Sequence, residues 1–176
     1  MRRIISTWCS LCATPDAEMN INRIYLKHFR NYREETVRFT PNINVLIGQN
    51  GQGKSNILEA IYYLATGKSY RVHREQELIQ WGETGFLLKG DFTIAGRPVS
   101  LESVYHRGKH KAIKVNDVPC QKLSEFIGTV NIVFFSPDDL VLVKGAPSER
   151  RRFLDMHIAQ MRPAYVSVLN QYNRIL

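Results

Sequence analysis

The octapeptide Gly48-Gln49-Asn50-Gly51-Gln52-Gly53-Lys54-Ser55 constrains this chain more than any other feature. It satisfies the phosphate-loop pattern G-x-x-x-x-G-K-[ST] without gap or substitution. Such a loop works between a strand and a helix, because its amides must converge on an anion at the positive end of a helix dipole. The flanks predict both elements. Ile43-Asn44-Val45-Leu46-Ile47 is short and mostly apolar, as a buried strand would be. Residues 56–66 place Ile57, Leu58, Ile61, Leu64 and Ala65 on one face of a helix. Glycines at 48, 51 and 53 permit backbone angles and close approaches that a Cβ forbids. Gly48 to Ser55 are therefore the predicted nucleotide-binding residues: Lys54 reaches the β- and γ-phosphates and the Ser55 hydroxyl ligates Mg²⁺. An ordinary glycine-rich turn ahead of a helix is the competing reading, and strand and helix together weigh against it.

Length and charge narrow the class. The 176 residues suffice for one well-buried domain, or one with a partial second. Hydrophobic content of 44% and charged content of 23% are those of a soluble globular protein. The longest apolar runs, 57–65 and 132–135, are far too short to span a bilayer, so no membrane role is expected. Lys plus Arg number 24 against 16 Asp plus Glu, and a net charge of +8 favours polyanionic partners, nucleic acid first. Three cysteines, Cys9, Cys12 and Cys120, fit a reducing cytoplasm better than a disulfide framework. Cys9 and Cys12 spell C-x-x-C, but no second Cys or His pair completes a zinc site.

Residues 1–18 imitate a signal peptide faintly, with an apolar stretch broken by Ser6, Thr7 and Ser10. Met19 is the expected natural start, which makes 1–18 an upstream, non-native or disordered extension. Residues 21–29 and 35–39 alternate as two strands around a turn at Arg30-Asn31-Tyr32. Arg30 and Asn31 precede the loop strand and are candidates to turn toward the nucleotide base; turn residues of no further function are the alternative. Gly67 reads as the helix C-cap, 68–74 as a basic loop, and 75–81 as a short helix closed by Gly82. Residues 85–114 read as an antiparallel meander carrying the densest basic cluster. Arg107, Lys109, Lys111 and Lys114 there, with Arg71 and Arg74 before them, are the candidate DNA-backbone contacts; solvated charge is the plainer reading. Residues 121–127 predict a short helix and 129–135 a second buried strand. Ser136-Pro137-Asp138-Asp139 after it imitates a Walker B motif, yet Pro with two acids equally starts a helix. Helices follow from Pro147 and Pro163, the first carrying Arg150-Arg151-Arg152 where positive charge opposes the dipole. The pattern is still helical at Leu176, and a truncated chain is expected.

Four stretches carry a family resemblance: 26–32 (Leu-Lys-His-Phe-Arg-Asn-Tyr), 43–65 across the phosphate loop, 65–69 (Ala-Thr-Gly-Lys-Ser), and 137–155, from Pro-Asp-Asp-Leu through Ser-Glu-Arg-Arg-Arg-Phe-Leu-Asp. On these, residues 19–176 resemble the N-terminal half of the RecF family, ABC-type ATPases akin to SMC heads. The resemblance implies an α/β fold: the N-terminal part of an ABC-type P-loop ATPase head, with an antiparallel β-meander and the start of a helical lobe. It divides the chain into an ATP-binding lobe at 19–135 and a helical lobe beginning at 136–176. It further implies ATP and Mg²⁺ as cofactors, duplex DNA and single-strand gap junctions as substrates, and an ATP-dependent homodimer at full length. RecR is the implied partner, with RecO and RecA, in gap repair and replication restart. The family's signature loop and Walker B strand lie in its C-terminal half and do not occur here. No catalytic set is complete in this chain, and weak or absent hydrolysis is expected of it alone. Strand edges and an apolar sheet face are expected to be left uncovered. A small-metabolite P-loop kinase and a non-catalytic interaction fragment are the other two classes considered.

Overall fold

The computed structural model describes residues 18–122, 125–136 and 145–175. Six strands form one antiparallel sheet: β1 (Met19–Phe29), β2 (Tyr32–Arg38), β3 (Gly85–Ile94), β4 (Arg97–His106), β5 (Ala112–Val115) and β6 (Val118–Pro119), in the spatial order β2-β1-β3-β4-β5-β6. Sequence alternation predicts two separate β units, 21–39 and 85–115. The structure joins them, because β1 pairs with β3 as well as with β2, Leu26 facing Leu88. The hairpin ends explain the register. Ala95-Gly96 and Asn116-Asp117 are two-residue turns with positive φ at both positions, which suits the twist of tight hairpins.

Helix α1 (Lys54–Thr66) lies on the inner face of this sheet. It is apolar on more than one face: Ile57, Ala60, Ile61, Tyr63, Leu64 and Ala65 are all buried. Beneath it stand Ile24, Leu26 and Phe29 of β1, Phe86, Leu88 and Phe92 of β3, and Leu101 and Tyr105 of β4. Gly90 sets the approach. A Cβ there would come within 2.9 Å of Leu64 Cδ1 and 2.7 Å of Phe92 Cε2, so only glycine lets the helix settle this close. Phe29, Tyr63 and Tyr105 each set a ring against Phe86, with centroids 5.3 to 5.7 Å apart.

The C-terminal end of α1 is closed from outside the helix. Gly67 takes φ 71° and returns its N–H to the Tyr63 carbonyl, as predicted. The Lys111 ammonium donates to the Gly67 carbonyl (2.5 Å) and to Glu75 Oε1 (2.7 Å), a cation placed where helix carbonyls lack partners. Tyr63 donates to the same Glu75 oxygen at 3.0 Å. Burial, with the Glu75 charge beside it, pushes the Tyr63 phenol far above its ordinary value.

Two predicted elements differ. Residues 43–47 are extended but enter no ladder among the described residues, and Ile43, Val45 and Ile47 are exposed, with only Leu46 half-buried against the core. Residues 129–135 behave alike: Val130 and Ile132 are buried, Val133 and Phe135 exposed. Both segments keep a strand's period of two, but neither is hydrogen-bonded to the antiparallel sheet, and one face of each stays uncovered. The short helix at 75–81 contracts to a 3-10 turn, Glu75–Leu78, because Ile79 leaves it to bridge Phe29. Two further helices follow, α2 (Pro147–Met161) and α3 (Ala164–Ile175). Among the described residues no helix is long and apolar enough to cross a membrane. The predicted extension up to residue 17, its C-x-x-C pair, and the Asp138-Asp139 pair lie outside the described residues.

On the sheet's outer face Glu102 accepts from Lys89 (2.6 Å) and Lys114 (2.9 Å). Partial burial pushes its carboxyl up, but the two ammonium groups outweigh that and hold it below the ordinary 4.5. A carboxyl depressed in the folded state adds stability above the unfolded value and loses it as pH falls through the folded one. In denaturant titrations the stability gap between wild type and Glu102→Gln should therefore be full at neutral pH and close below about pH 4.5. A gap of constant size would show that charge is not its source.

Candidate functional site

The phosphate loop runs from exposed residue 47 into the first turn of α1. Gly51 and Gly53 take φ 85° and 98°, the left-handed region that glycine enters without penalty. Gly53 is also enclosed. A Cβ on it would stand 2.7 Å from the Tyr32 hydroxyl and 2.8 Å from the Asn31 amide, so the β1–β2 turn packs against the loop's last glycine. Gln52 folds back within the loop, its Oε1 accepting from the Gln49 N–H at 2.9 Å. Lys54 donates to the carbonyls of Gly48 (2.9 Å) and Gln49 (2.5 Å), which draws its ammonium across the loop mouth. Asn50 lies at the exposed tip.

These residues fit a nucleoside triphosphate and Mg²⁺. The loop is open to solvent, the helix begins at Lys54 without a side-chain cap, and a mobile ammonium lies within the same loop. Uncapped first-turn N–H groups and a lysine are the donors that phosphate oxygens require. Ser55, exposed on the first turn, is in place to supply the hydroxyl that the metal takes.

Behind the loop stands a buried carboxylate that no sequence motif reveals. Glu59, on α1, is fully buried. Arg30 grips it in a fork, Nε to Oε2 at 2.9 Å and Nη2 to Oε1 at 2.7 Å, and places Nη1 on the Glu77 carbonyl at 2.9 Å. Ser69 donates to Oε1 at 2.6 Å, and the Arg71 guanidinium lies 3.7 Å from Oε2. Asn56 links the turn and the loop after the helix: its amide donates to Asn31 Oδ1 (2.8 Å) and accepts from Arg71 Nη1 (3.2 Å). Both candidate base-side residues are thus placed. Asn31 borders the loop, whereas the Arg30 guanidinium faces into the protein.

The six candidate DNA contacts do not form one patch. Arg107 and Lys109 stand exposed in the β4–β5 turn, and Lys114 is paired with Glu102 on the outer face. Lys111 is held at the end of α1, and Arg71 at its beginning. Arg74 lines a groove between the 68–76 loop and the α2–α3 pair, shared with Lys68, Lys111, Arg151 and Arg152. The two α2 arginines were legible only as a charge opposed to a helix dipole; bringing them opposite Lys68 and Arg74 takes the tertiary fold.

The family model of the RecF/RecN/SMC N-terminal domain matches residues 20–129, more than half of the chain. The DNA replication and repair protein RecF of Desulfitobacterium hafniense is 60% identical over 158 residues, 90% of this chain and 43% of that protein. Its counterpart in Halalkalibacterium halodurans is 51% identical over 158 residues, 90% of this chain and 42% of that one. The chain therefore spans less than half the length of these relatives. A solved structure of the recombination mediator protein RecF-ATP in the RecFOR pathway superposes with TM-score 0.84 at 34% identity, over 89% of this chain and 42% of that one. An SMC head domain from Pyrococcus furiosus, with TM-score 0.64 at 22% identity over 78% of this chain and 41% of that one, shares the fold.

The enclosure of Gly53 can be tested directly. Gly53→Ala forces a Cβ into the left-handed region at a cost of about 1–2 kcal/mol and against Tyr32 and Asn31. Nucleotide titration of the variant should show binding weakened at least tenfold, about 1.4 kcal/mol or more. Binding within twofold of wild type would mean that the turn does not shape the loop.

Proposed function

Because the chain belongs to the RecF/RecN/SMC N-terminal domain family, we propose that it is the nucleotide-binding part of an ATP-dependent DNA-binding protein of replication and recombinational gap repair. One observation carries the reading: a complete phosphate loop, with Gly51 and Gly53 in left-handed conformations, opens onto the uncapped start of a helix packed on a sheet. Gly48 to Ser55 would bind ATP, with Lys54 on the β- and γ-phosphates and Ser55 on Mg²⁺. Bound Mg²⁺–ATP supplies a charged, differential ligand for two states of the protein, which is what ATP-dependent DNA binding requires.

The RecF-ATP structure of the RecFOR pathway supports ATP as the nucleotide. The same likeness supports RecR and RecO, with RecA downstream, as partners of the whole protein, duplex DNA with single-strand gap junctions as its substrate, and the cytoplasm as its place of work. An ATP-dependent homodimer of the full-length protein belongs to the same reading. Hydrolysis by this chain alone is assigned as weak or absent. DNA is met through phosphates: Arg74, Lys68, Arg151 and Arg152 in the groove, with Arg107 and Lys109 at the hairpin tip, are the cations placed for it. Lys111 and Lys114 are committed to Glu75 and Glu102 and enter this surface as secondary contacts.

Lys54→Ala removes a charge-assisted contact of about 1.5–3 kcal/mol and should weaken ATP binding roughly ten- to hundredfold, with the melting temperature unchanged. Equal affinity in the variant would favour a non-catalytic interaction fragment, and phosphoryl transfer to a small acceptor would favour a metabolite kinase. DNA affinity should fall linearly with the logarithm of salt concentration and depend little on base sequence. Salt-insensitive binding would remove the phosphate-contact surface from the account.

A further inference from the structure

Two arginines converge on one carboxylate at the start of α1, and they are not equivalent. Arg30 saturates the accessible oxygens of Glu59 with a two-point fork, joined by Ser69. Arg71 stands 3.7 Å away, beyond hydrogen-bond reach, so Glu59 attracts it without consuming its donors. What fixes the Arg71 guanidinium is Asn56, the residue directly after Ser55, at 3.2 Å. The Arg71 side chain is 46% exposed. Two cations against one anion leave a net positive charge at the helix end where first-turn N–H groups already favour an anion.

From this we propose that Arg71 belongs to the nucleotide site and not to a DNA-facing surface. It is a cation delivered to the first turn of α1 to meet the phosphates of a nucleoside triphosphate, with Glu59 as its positioning residue. The inference rests on the nucleotide-binding reading given above. Its geometry is sound because each anchor is independent. The loop carrying Arg71 is tied to the helix by Ser69, whose hydroxyl donates to Glu59 and accepts from the N–H groups of Arg71 (2.9 Å) and Val72 (3.2 Å). The arginine therefore cannot swing away without breaking a buried hydrogen bond. Glu59 touches no phosphate; it acts through the loop and through Arg71.

Titration of the chain with a fluorescent ATP analogue separates the roles. Arg71→Ala should raise the dissociation constant about tenfold, the loss of one charge-assisted contact. Arg71→Lys should recover only part of it, because an ammonium cannot serve Asn56 and a phosphate as a fork does. Glu59→Gln should shift the constant in the same direction, and the double variant should bind no worse than Arg71→Ala alone, a non-additivity expected only of coupled residues. Nucleotide-free DNA affinity of Arg71→Ala should stay within twofold of wild type. ATP affinity within twofold in Arg71→Ala, or weakened DNA binding in its place, overturns the proposal. Should Glu59→Gln not fold, the two Arg71 variants decide alone. Absence of saturable ATP binding by the wild type would sink the nucleotide reading itself and this inference with it.

Discussion

A carboxylate with no access to water holds the nucleotide end of this molecule together. Moving Glu59 out of solvent is costly, and the fork from Arg30 is what makes it tolerable, since a buried ion pair deprived of one partner loses about 3–5 kcal/mol. Such a pair adds little net stability over apolar residues of equal volume. What it adds is placement. Arg30 comes from the β1–β2 turn, Glu59 from α1 and Ser69 from the segment after it, so three separated stretches are brought into one arrangement. The pull is directional, as apolar packing is not.

Around that node the scaffold divides its tasks. The sheet and the buried faces of α1 supply the hydrophobic free energy, with Gly90 letting helix and sheet approach closely. The polar anchors sit at the two ends of α1. At the C-terminal end, Lys111 meets orphan carbonyls and shares Glu75 with Tyr63. At the N-terminal end no side chain caps the helix, and the loop amides stay open to an anion. A helix tied firmly at its far end and around its waist can leave its first turn unsatisfied, which is the condition for binding phosphate there.

Much of this was legible from residues alone. The phosphate loop, the helix after it, the Gly67 cap, the meander and both C-terminal helices rest on local chemistry: glycine conformations, period two, period 3.6. What escaped depends on long-range pairing. Nothing in 21–29 announces that β1 pairs with β3 more than sixty residues later, and nothing near Glu59 distinguishes it from an acidic residue on a solvated helix face. Arg30 was read as a base contact because it precedes the loop; its true partner lies 29 positions away. Residues 43–47 show the reverse failure. Their alternation is that of a strand, but alternation specifies which faces a segment has, not whether another strand lies beside it.

The net charge of +8 suggests a polyanion partner, but charge counts side chains and binding uses only those that are free. Lys89, Lys111 and Lys114 are held by carboxylates, and Arg30 is spent on Glu59. Such cations cannot approach a phosphate without giving up a partner, and the exchange yields little. Arg107 and Lys109 on the hairpin, and Lys68, Arg74, Arg151 and Arg152 along the groove, have no such partner among the described residues. The sites open to an anion are therefore fewer than composition implies, and they lie in distinct places: the start of α1, the groove and the hairpin tip. A protein that must hold a nucleotide and a nucleic acid together needs that separation. Two polyanions drawn to one continuous basic face would compete for it, whereas ion pairs that silence the cations between them keep each ligand to its own ground.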